Sequence, residues 1–296
     1  MKATAELAVA YATTGQNARS LPLYEEALAR QKLKLGHDHR TTLGTALNLT
    51  YAYNRAARYD KSVPLALATL RAAEAAHGRE DPVTLLARYS LGTTYVKAGR
   101  LPEGVATLEE VFAARKARLG ADDPVTLATA VTLATVQLAA GKPDAALAVL
   151  RDAHQRRAAT LGPGHADTLE TSRLVAVVLL QLRRSAEAVP VLEELVRLQA
   201  ARVGRDDLAT LRALNELGMA YGREKRFGRA LSTLEESAQR REAKYGTDHV
   251  ETLLGVGNLG QTCRLAGQPG RAVALLEPRT AGPTWRWGRV TPRRST

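Results

Sequence analysis

The sequence predicts an all-α protein built from repeated pairs of antiparallel helices. A segment with a glycine followed by Thr-Leu recurs along the chain, and its glycines stand at 36, 78, 120, 162, 204 and 246, each 42 residues after the last. Aromatic residues make up only 4% of the chain, while Ala, Leu and Arg are abundant, which favours helices over strands. A fixed period of this length is typical of stacked repeats, so the 296 residues predict one repeat array rather than two globular domains.

The period 84–125 shows how the first helix of each pair is recognised. Apolar or small residues recur at the three- and four-residue spacing of one helix face. These positions are Leu85, Leu91, Gly92 and Tyr95. Asp81-Pro82 predicts the helix start, because an Asp side chain accepts hydrogen bonds from early backbone N–H groups and Pro is favoured in the first turn. The turn glycine Gly99 predicts the helix end.

The second helix of the same period is predicted to run from about Pro102 to Leu119, with an apolar stripe that includes Leu108. One small residue recurs on each helix of every pair, and small residues at fixed points allow two helices to approach closely. On the first helices these are Ala8, Thr50, Gly92, Ala134, Ala176, Gly218 and Gly260. On the second helices they are Ser20, Ser62, Gly104, Ala146, Ala188, Ala230 and Ala272.

The net charge of +12 is explained mainly by two locations. The last 18 residues, 279–296, contain five arginines and no acid. Further cations close the second helices, where they complement the negative end of the helix dipole, and we interpret them as a solvated face. These cations are Arg115, Lys116, Arg118, Arg156, Arg157, Arg202, Arg240, Arg241 and Lys244. Binding of nucleic acid through the overall charge is therefore the weakest of the functional hypotheses.

The order of Leu-Gly, Tyr, turn glycine and small residue within each period resembles the tetratricopeptide repeat family. The tyrosines are Tyr11, Tyr53, Tyr95 and Tyr221. The 42-residue period and the Leu-Gly-x-Asp-Asp/His-Pro-x-Thr-Leu segment are similar to kinesin light chain repeats and to related bacterial tandems. HEAT and armadillo repeats have similar periods but lack this order. The resemblance implies a right-handed α-solenoid of about seven helix pairs, the last incomplete, over residues 1–277.

The resemblance also implies that the first helices line a concave groove that holds a peptide or a partner helix. Asn amides can pair with a peptide backbone and Arg can hold a carboxylate, so we expect a protein or peptide ligand of acidic character. The groove candidates are Asn48, Tyr51, Tyr89, Ser90, Arg173, Arg212, Asn215, Arg223 and Asn258, with Arg55, Lys97, Thr132 and Arg264 nearby. The competing interpretation is that these side chains only solvate an exposed helix face.

No motif of an enzyme is present in the sequence. There is no glycine-rich phosphate loop, no Gly-x-Ser-x-Gly segment and no zinc-ligand spacing, so we expect a non-enzymatic scaffold without cofactor or metal. His39, His165 and His249 share the repeat position of Asp81, Asp123 and Asp207, which predicts a role at helix starts. Cys263, the single cysteine, occupies a first-helix Tyr position and is predicted to be packed. The alternative is that the chain is the sensor region of a serine/threonine kinase or a STAND-type ATPase.

The location and the last residues complete the sequence predictions. A single cysteine excludes a disulfide within the chain, and neither a signal peptide nor a membrane span is recognisable, so we expect a cytoplasmic protein. Residues 278–296 form a separate basic tail, because Pro278 and Pro283 would break a helix, and we expect this tail to be disordered. Its Trp285 and Trp287 could stack on single-stranded nucleic acid or anchor at a membrane surface. The oligomeric state is not predicted.

Overall fold

The computed structural model describes residues 2–277, and this part of the chain contains fourteen α-helices and no strand. The first helices of the pairs are α1 (Lys2–Thr13), α3 (Arg40–Arg55), α5 (Pro82–Lys97), α7 (Pro124–Ala139), α9 (Ala166–Gln181), α11 (Leu208–Arg223) and α13 (Val250–Leu265). The second helices are α2 (Asn17–Leu35), α4 (Tyr59–His77), α6 (Leu101–Leu119), α8 (Pro143–Leu161), α10 (Ser185–Val203), α12 (Phe227–Tyr245) and α14 (Pro269–Leu276). The all-α prediction is confirmed.

The chain divides into two compact units, Met1–Arg202 and a second that begins at Val203. In the first unit each helix from α1 to α9 packs on its neighbour in sequence, and α3 also packs on α1 and on α5. In the second unit α11 to α14 pack in the same sequential manner, and α11 also packs on α13. Stacking of helix pairs side by side is the arrangement of an α-solenoid, as predicted.

The first helices start on a capping side chain at a fixed repeat position. The Oδ1 atom of Asp123 accepts hydrogen bonds from the backbone N–H groups of Val125 at 2.8 Å and Thr126 at 3.2 Å. At the equivalent position the Nδ1 atom of His165 accepts from the backbone N–H of Asp167 at 3.2 Å. His39 and His249 act in the same way. The predicted role of these residues at helix starts is confirmed, and it requires an imidazole without a proton on Nδ1.

The first helices end in a left-handed residue whether or not that residue is glycine. Gly99 has a φ of 78°, and at the equivalent position Ala57, Arg183 and Lys225 have φ values of 54°, 59° and 57°. The turn is stabilised by a backbone hydrogen bond between residues five apart in sequence, such as that from Arg100 N–H to the carbonyl of Tyr95 at 2.8 Å. Non-glycine residues are less stable than glycine in this region, so the helix end costs more in the repeats that lack glycine.

The small residues stand where the two helices of a pair come closest. A Cβ atom on Gly92 would lie 2.9 Å from Cγ of Leu108, and one on Gly104 would lie 2.5 Å from Cγ2 of Val96. Leu108 itself is completely buried. Larger side chains at these two positions would push the helices apart, so the predicted close approach is confirmed.

The interpretation of the second-helix cations as a solvated face is wrong for three arginines. Arg115, Arg157 and Arg241 share one repeat position and are only 8%, 8% and 2% exposed. Nη1 of Arg157 donates to Thr171 Oγ1 at 2.7 Å and to the carbonyl of Asp167 at 3.0 Å. These acceptors lie on the first helix of the following pair. For Arg157 these hydrogen bonds offset part of the cost of burial, because a guanidinium carries several donors in a fixed geometry.

The seventh pair differs from the others. Its second helix, α14, has eight residues where α12 has 19. Leu253 on α13 is 56% exposed, whereas Leu211, its equivalent on α11, is completely buried. This agrees with the prediction that the last pair is incomplete. The predicted tail, residues 278–296, lies outside the described residues, and the division at 277/278 stays a prediction.

Replacement of Leu108 by Ala should lower the free energy of unfolding by about 2–5 kcal/mol, because it removes a fully buried side chain and leaves a cavity. The matched control is Leu33→Ala, since Leu33 is 88% exposed on α2, and its effect should stay within about 0.5 kcal/mol. Denaturant unfolding measures both changes. Equal losses for the two variants would contradict the packing described here.

Replacement of Asp123 by Ala should cost about 0.5–2 kcal/mol, because two backbone N–H groups at the start of α7 lose their acceptor. Asp122→Ala removes the adjacent carboxylate, which pairs with Arg156 at the surface, and should cost less than about 1 kcal/mol. The two variants are compared by thermal unfolding monitored by circular dichroism. A larger loss for Asp122→Ala than for Asp123→Ala would show that the cap is not the stabilising contact.

Candidate peptide-binding face

The predicted groove residues lie on one side of the first helices, which we call the first-helix face: the side that carries Asn48 and Tyr51 on α3 and their repeat equivalents on the other first helices. This side recurs because core positions such as Leu49, Ala52 and Tyr53 point the opposite way and are buried. Tyr51 is 58% exposed. Because the chain forms two units, the first-helix face consists of two stretches, which are described separately.

In the first unit the first-helix face is polar but mostly uncharged. Asn48 and Tyr51 are exposed on α3, and Tyr89 and Ser90 are partly buried on α5. The hydroxyl groups of Tyr89 and Thr132 form a hydrogen bond of 3.1 Å, which joins α5 to α7.

Arg173 is the predicted cation of this stretch, and it has an internal partner. Its guanidinium donates to both carboxylate oxygens of Glu170, at 3.0 and 2.8 Å, on the same helix. The charge of Arg173 is therefore offset locally, and this part of the face is less basic than the sequence predicts.

In the second unit the first-helix face carries amides and cations. Nδ2 of Asn258 donates to Oδ1 of Asn215 at 3.2 Å, which joins α13 to α11. Arg212 donates to the carboxylate of Glu251, and this hydrogen bond lowers the pKa of Glu251 below its usual value. Arg223 lies exposed in the last turn of α11.

The structure therefore brings together some predicted site residues and leaves others apart. Tyr89 with Thr132, and Asn215 with Asn258, form side-chain links between adjacent first helices, whereas Asn48 and Arg173 lie on different helices within the first unit. Sequence reasoning missed the two carboxylates that pair with predicted cations. The three-residue spacing of Glu170 and Arg173 could have indicated that pair, but Glu251 is 39 residues from Arg212 and gave no local signal.

The described residues were compared with the requirements of a reactive thiol, a metal site and a membrane-spanning helix. Cys263 is completely buried, and burial raises the pKa of its thiol. Within residues 2–277 no group of three or more His, Cys, Asp or Glu side chains is placed to hold a metal ion. None of the described helices combines the length and the apolar character needed to cross a membrane.

Alkylation of Cys263 in the folded protein should be slow, because its thiol is buried and only the thiolate reacts. A cysteine introduced by Leu33→Cys in a Cys263→Ala background provides an exposed reference on α2. Both are titrated with a thiol-reactive dye, with and without denaturant. Rapid labelling of native Cys263 would show that the α13 packing opens readily.

The stacked helix pairs, with small residues at each closest approach, define a helical repeat protein of the α-solenoid class. Family models described as tetratricopeptide repeat match residues 2–41, 84–159, 126–201 and 202–277. The last three matches cover the chain continuously from 84 to 277. The chain therefore belongs to the tetratricopeptide repeat family, as its sequence indicated.

Solved structures with the same fold include kinesin light chain-like proteins. One, from Podosopora anserina, has nearly identical TPR-like repeats; it is 24% identical, with a TM-score of 0.65 over 70% of this chain and 99% of that protein. BtubC (BKLC) from P. vanneervenii is 14% identical, with a TM-score of 0.66 over 78% of this chain and 92% of its own.

A third solved structure is a STAND protein with a tetratricopeptide repeat sensor from Pyrococcus horikoshii. It is 16% identical, with a TM-score of 0.70, and the match covers 92% of this chain but 41% of that protein. At these identities the similarities show the fold alone. No curated protein sequence matches the chain.

Proposed function

We propose that residues 1–277 form one array that acts as a non-enzymatic scaffold and binds a peptide or a partner protein along the first-helix face, with residues 278–296 as a separate tail. Membership of the tetratricopeptide repeat family indicates a protein-interaction scaffold. The observation that carries the proposal is a pair of polar side-chain links between adjacent first helices, one in each unit. Tyr89 with Thr132 and Asn215 with Asn258 lie at solvent-accessible positions, where amide and hydroxyl groups can also pair with a ligand.

The two stretches of the face favour different ligand chemistry. In the first unit Tyr51, Leu86 and Tyr89 place apolar surface among uncharged polar groups, and Leu86 is 47% exposed. Aromatic and aliphatic groups of this kind contribute most to binding when a ligand covers them.

In the second unit Arg212 and Arg223 favour an acidic ligand segment. The pairing of Arg212 with Glu251 does not remove this capacity. The Arg212 side chain is 55% exposed although that of Glu251 is only 11% exposed, and a guanidinium with five N–H donors can bond a ligand carboxylate beside its internal partner. We therefore expect an acidic segment of the ligand to contact the second unit.

The double variant Arg212→Glu and Arg223→Glu should weaken capture of acidic peptides at least tenfold, because it replaces two attractive charges by repulsive ones. The measurement is binding to a peptide array, followed by titration of the selected peptides at two salt concentrations. The control is Arg197→Glu, which changes the charge at a second-helix arginine that is 65% exposed. Unchanged capture by the double variant, or equal loss in the control, would contradict an acidic ligand on this face.

The alternative proposal is that the array is the sensor region of a signalling ATPase or kinase. The similarity to the sensor-bearing STAND protein from P. horikoshii supports this only as far as the shared fold. Both proposals need a ligand on the first-helix face. Affinity capture with the natural full-length gene product distinguishes them: a partner held by an array without a catalytic domain supports the scaffold, and an array covalently continuous with a kinase or ATPase supports the sensor.

A further inference from the structure

A cavity of about 450 Å³ lies at the start of the array, between α1, α2 and α3. It is lined by Ala5, Glu6, Val9, Gln31, Leu35, Thr41 and Thr45. Its volume is in the range of small-ligand sites. Most of its surface is apolar, and its polar groups come from few side chains, so those side chains determine which ligand the cavity can bind.

The polar groups of the cavity occupy the repeat positions that surround a buried guanidinium elsewhere in the chain. Gln31 stands at the position of Arg115, Arg157 and Arg241. Thr45 stands at the position of Thr129 and Thr171, whose hydroxyl groups accept from Arg115 at 2.6 Å and from Arg157 at 2.7 Å.

A backbone acceptor of the buried guanidinium is also repeated. Nη1 of Arg157 donates to the carbonyl of Asp167, ten residues further along the chain, and Arg241 donates in the same way to the carbonyl of Glu251. The position ten residues after Gln31 is Thr41, which lines the cavity. The junction between the first and second pairs therefore keeps two acceptor positions of the guanidinium site, on α3, and lacks the arginine on α2.

Two side chains that are smaller than their equivalents in the third pair account for the open space. Gln31 replaces an arginine, and Ala5 stands at the position of Tyr89, whose ring lies 5.0 Å from the guanidinium carbon of Arg115. The space taken up by a guanidinium and part of a tyrosine ring in the third pair is thus open in the first.

The remaining groups favour a cation. Gln31 is 2% exposed, and its Oε1 atom has no hydrogen-bond partner within residues 2–277. A buried acceptor without a partner is unfavourable, and a ligand N–H group would satisfy it. Glu6 contributes a carboxylate to the lining, and no Lys or Arg is found among the lining side chains that the structure describes.

We propose that this cavity binds the guanidinium group of an arginine side chain from a partner peptide, which takes the place that Arg115, Arg157 and Arg241 fill from within the chain. The apolar side chains of Val9 and Leu35 would cover the methylene groups of that arginine. The guanidinium holds five N–H donors in a fixed plane, which suits acceptors in a fixed arrangement better than the three rotating donors of an ammonium group. The cavity lies at the first pair, so this proposal does not depend on an acidic ligand at the second unit.

The test uses N-acetyl-arginine methylamide as the probe and N-acetyl-lysine methylamide as its comparison. Backbone amide shifts of the full chain are followed during titration of each compound. The arginine compound should saturate at millimolar concentrations and shift the amides of Thr41 and Thr45, and the lysine compound should bind at least fivefold more weakly. Equal binding of the two compounds, or no saturable shift at these residues, would overturn the proposal.

Gln31→Arg places a guanidinium in the cavity from within the chain and should reduce binding of the arginine compound at least tenfold. Leu33→Arg is the matched control, because it adds the same charge at an 88% exposed position of the same helix, and it should bind as the unmodified chain does. Thr45→Val removes one acceptor with little change of volume and should weaken binding severalfold, which keeps the test decisive should Gln31→Arg fail to fold. Undiminished binding by both cavity variants would refute the site.

Discussion

The close approach of the two helices in each pair is the constraint on which the rest of the structure depends. At Gly92 and Gly104 the backbones come so near that a single methyl group would collide with Leu108 or Val96. This contact fixes how α5 lies against α6, and the other pairs keep a small residue, Gly, Ala, Ser or Thr, at both positions. Because each pair leaves an apolar side uncovered, the next pair must stack on it, and the first-helix face follows from that stacking.

Much of the fold could be predicted because the period converts one well-understood repeat into a template for all the others. Helix starts at Asp123 and His165, helix ends at Gly99, and the buried Leu108 all follow from local physical rules applied in register. The burial of Arg157 was not predicted, since its acceptors belong to the following pair. Two periods have an arginine followed by a threonine 14 residues later, Arg115 with Thr129 and Arg157 with Thr171, and this recurrence was the available signal.

The candidate site was less accessible from sequence because its electrostatics depend on distant partners. Positions on an exposed helix face can be assigned from helical periodicity, and Asn48 and Tyr51 are exposed accordingly. Whether a cation there is available to a ligand depends on which acid the fold places beside it. Glu251 reaches Arg212 only because α13 stacks on α11.

The buried arginines also determine how the array responds to local disruption. Arg115 on α6 is held by α7, and Arg157 on α8 is held by α9. If the pair α7–α8 opened alone, Arg115 would be left at an exposed, unpaired helix end and α9 would lose its donor, so opening one pair also destabilises its neighbours. Hydrogen bonds of this kind strengthen the energetic coupling between neighbouring repeats. The middle of the first unit should therefore exchange its amide hydrogens as one cooperative block and not pair by pair.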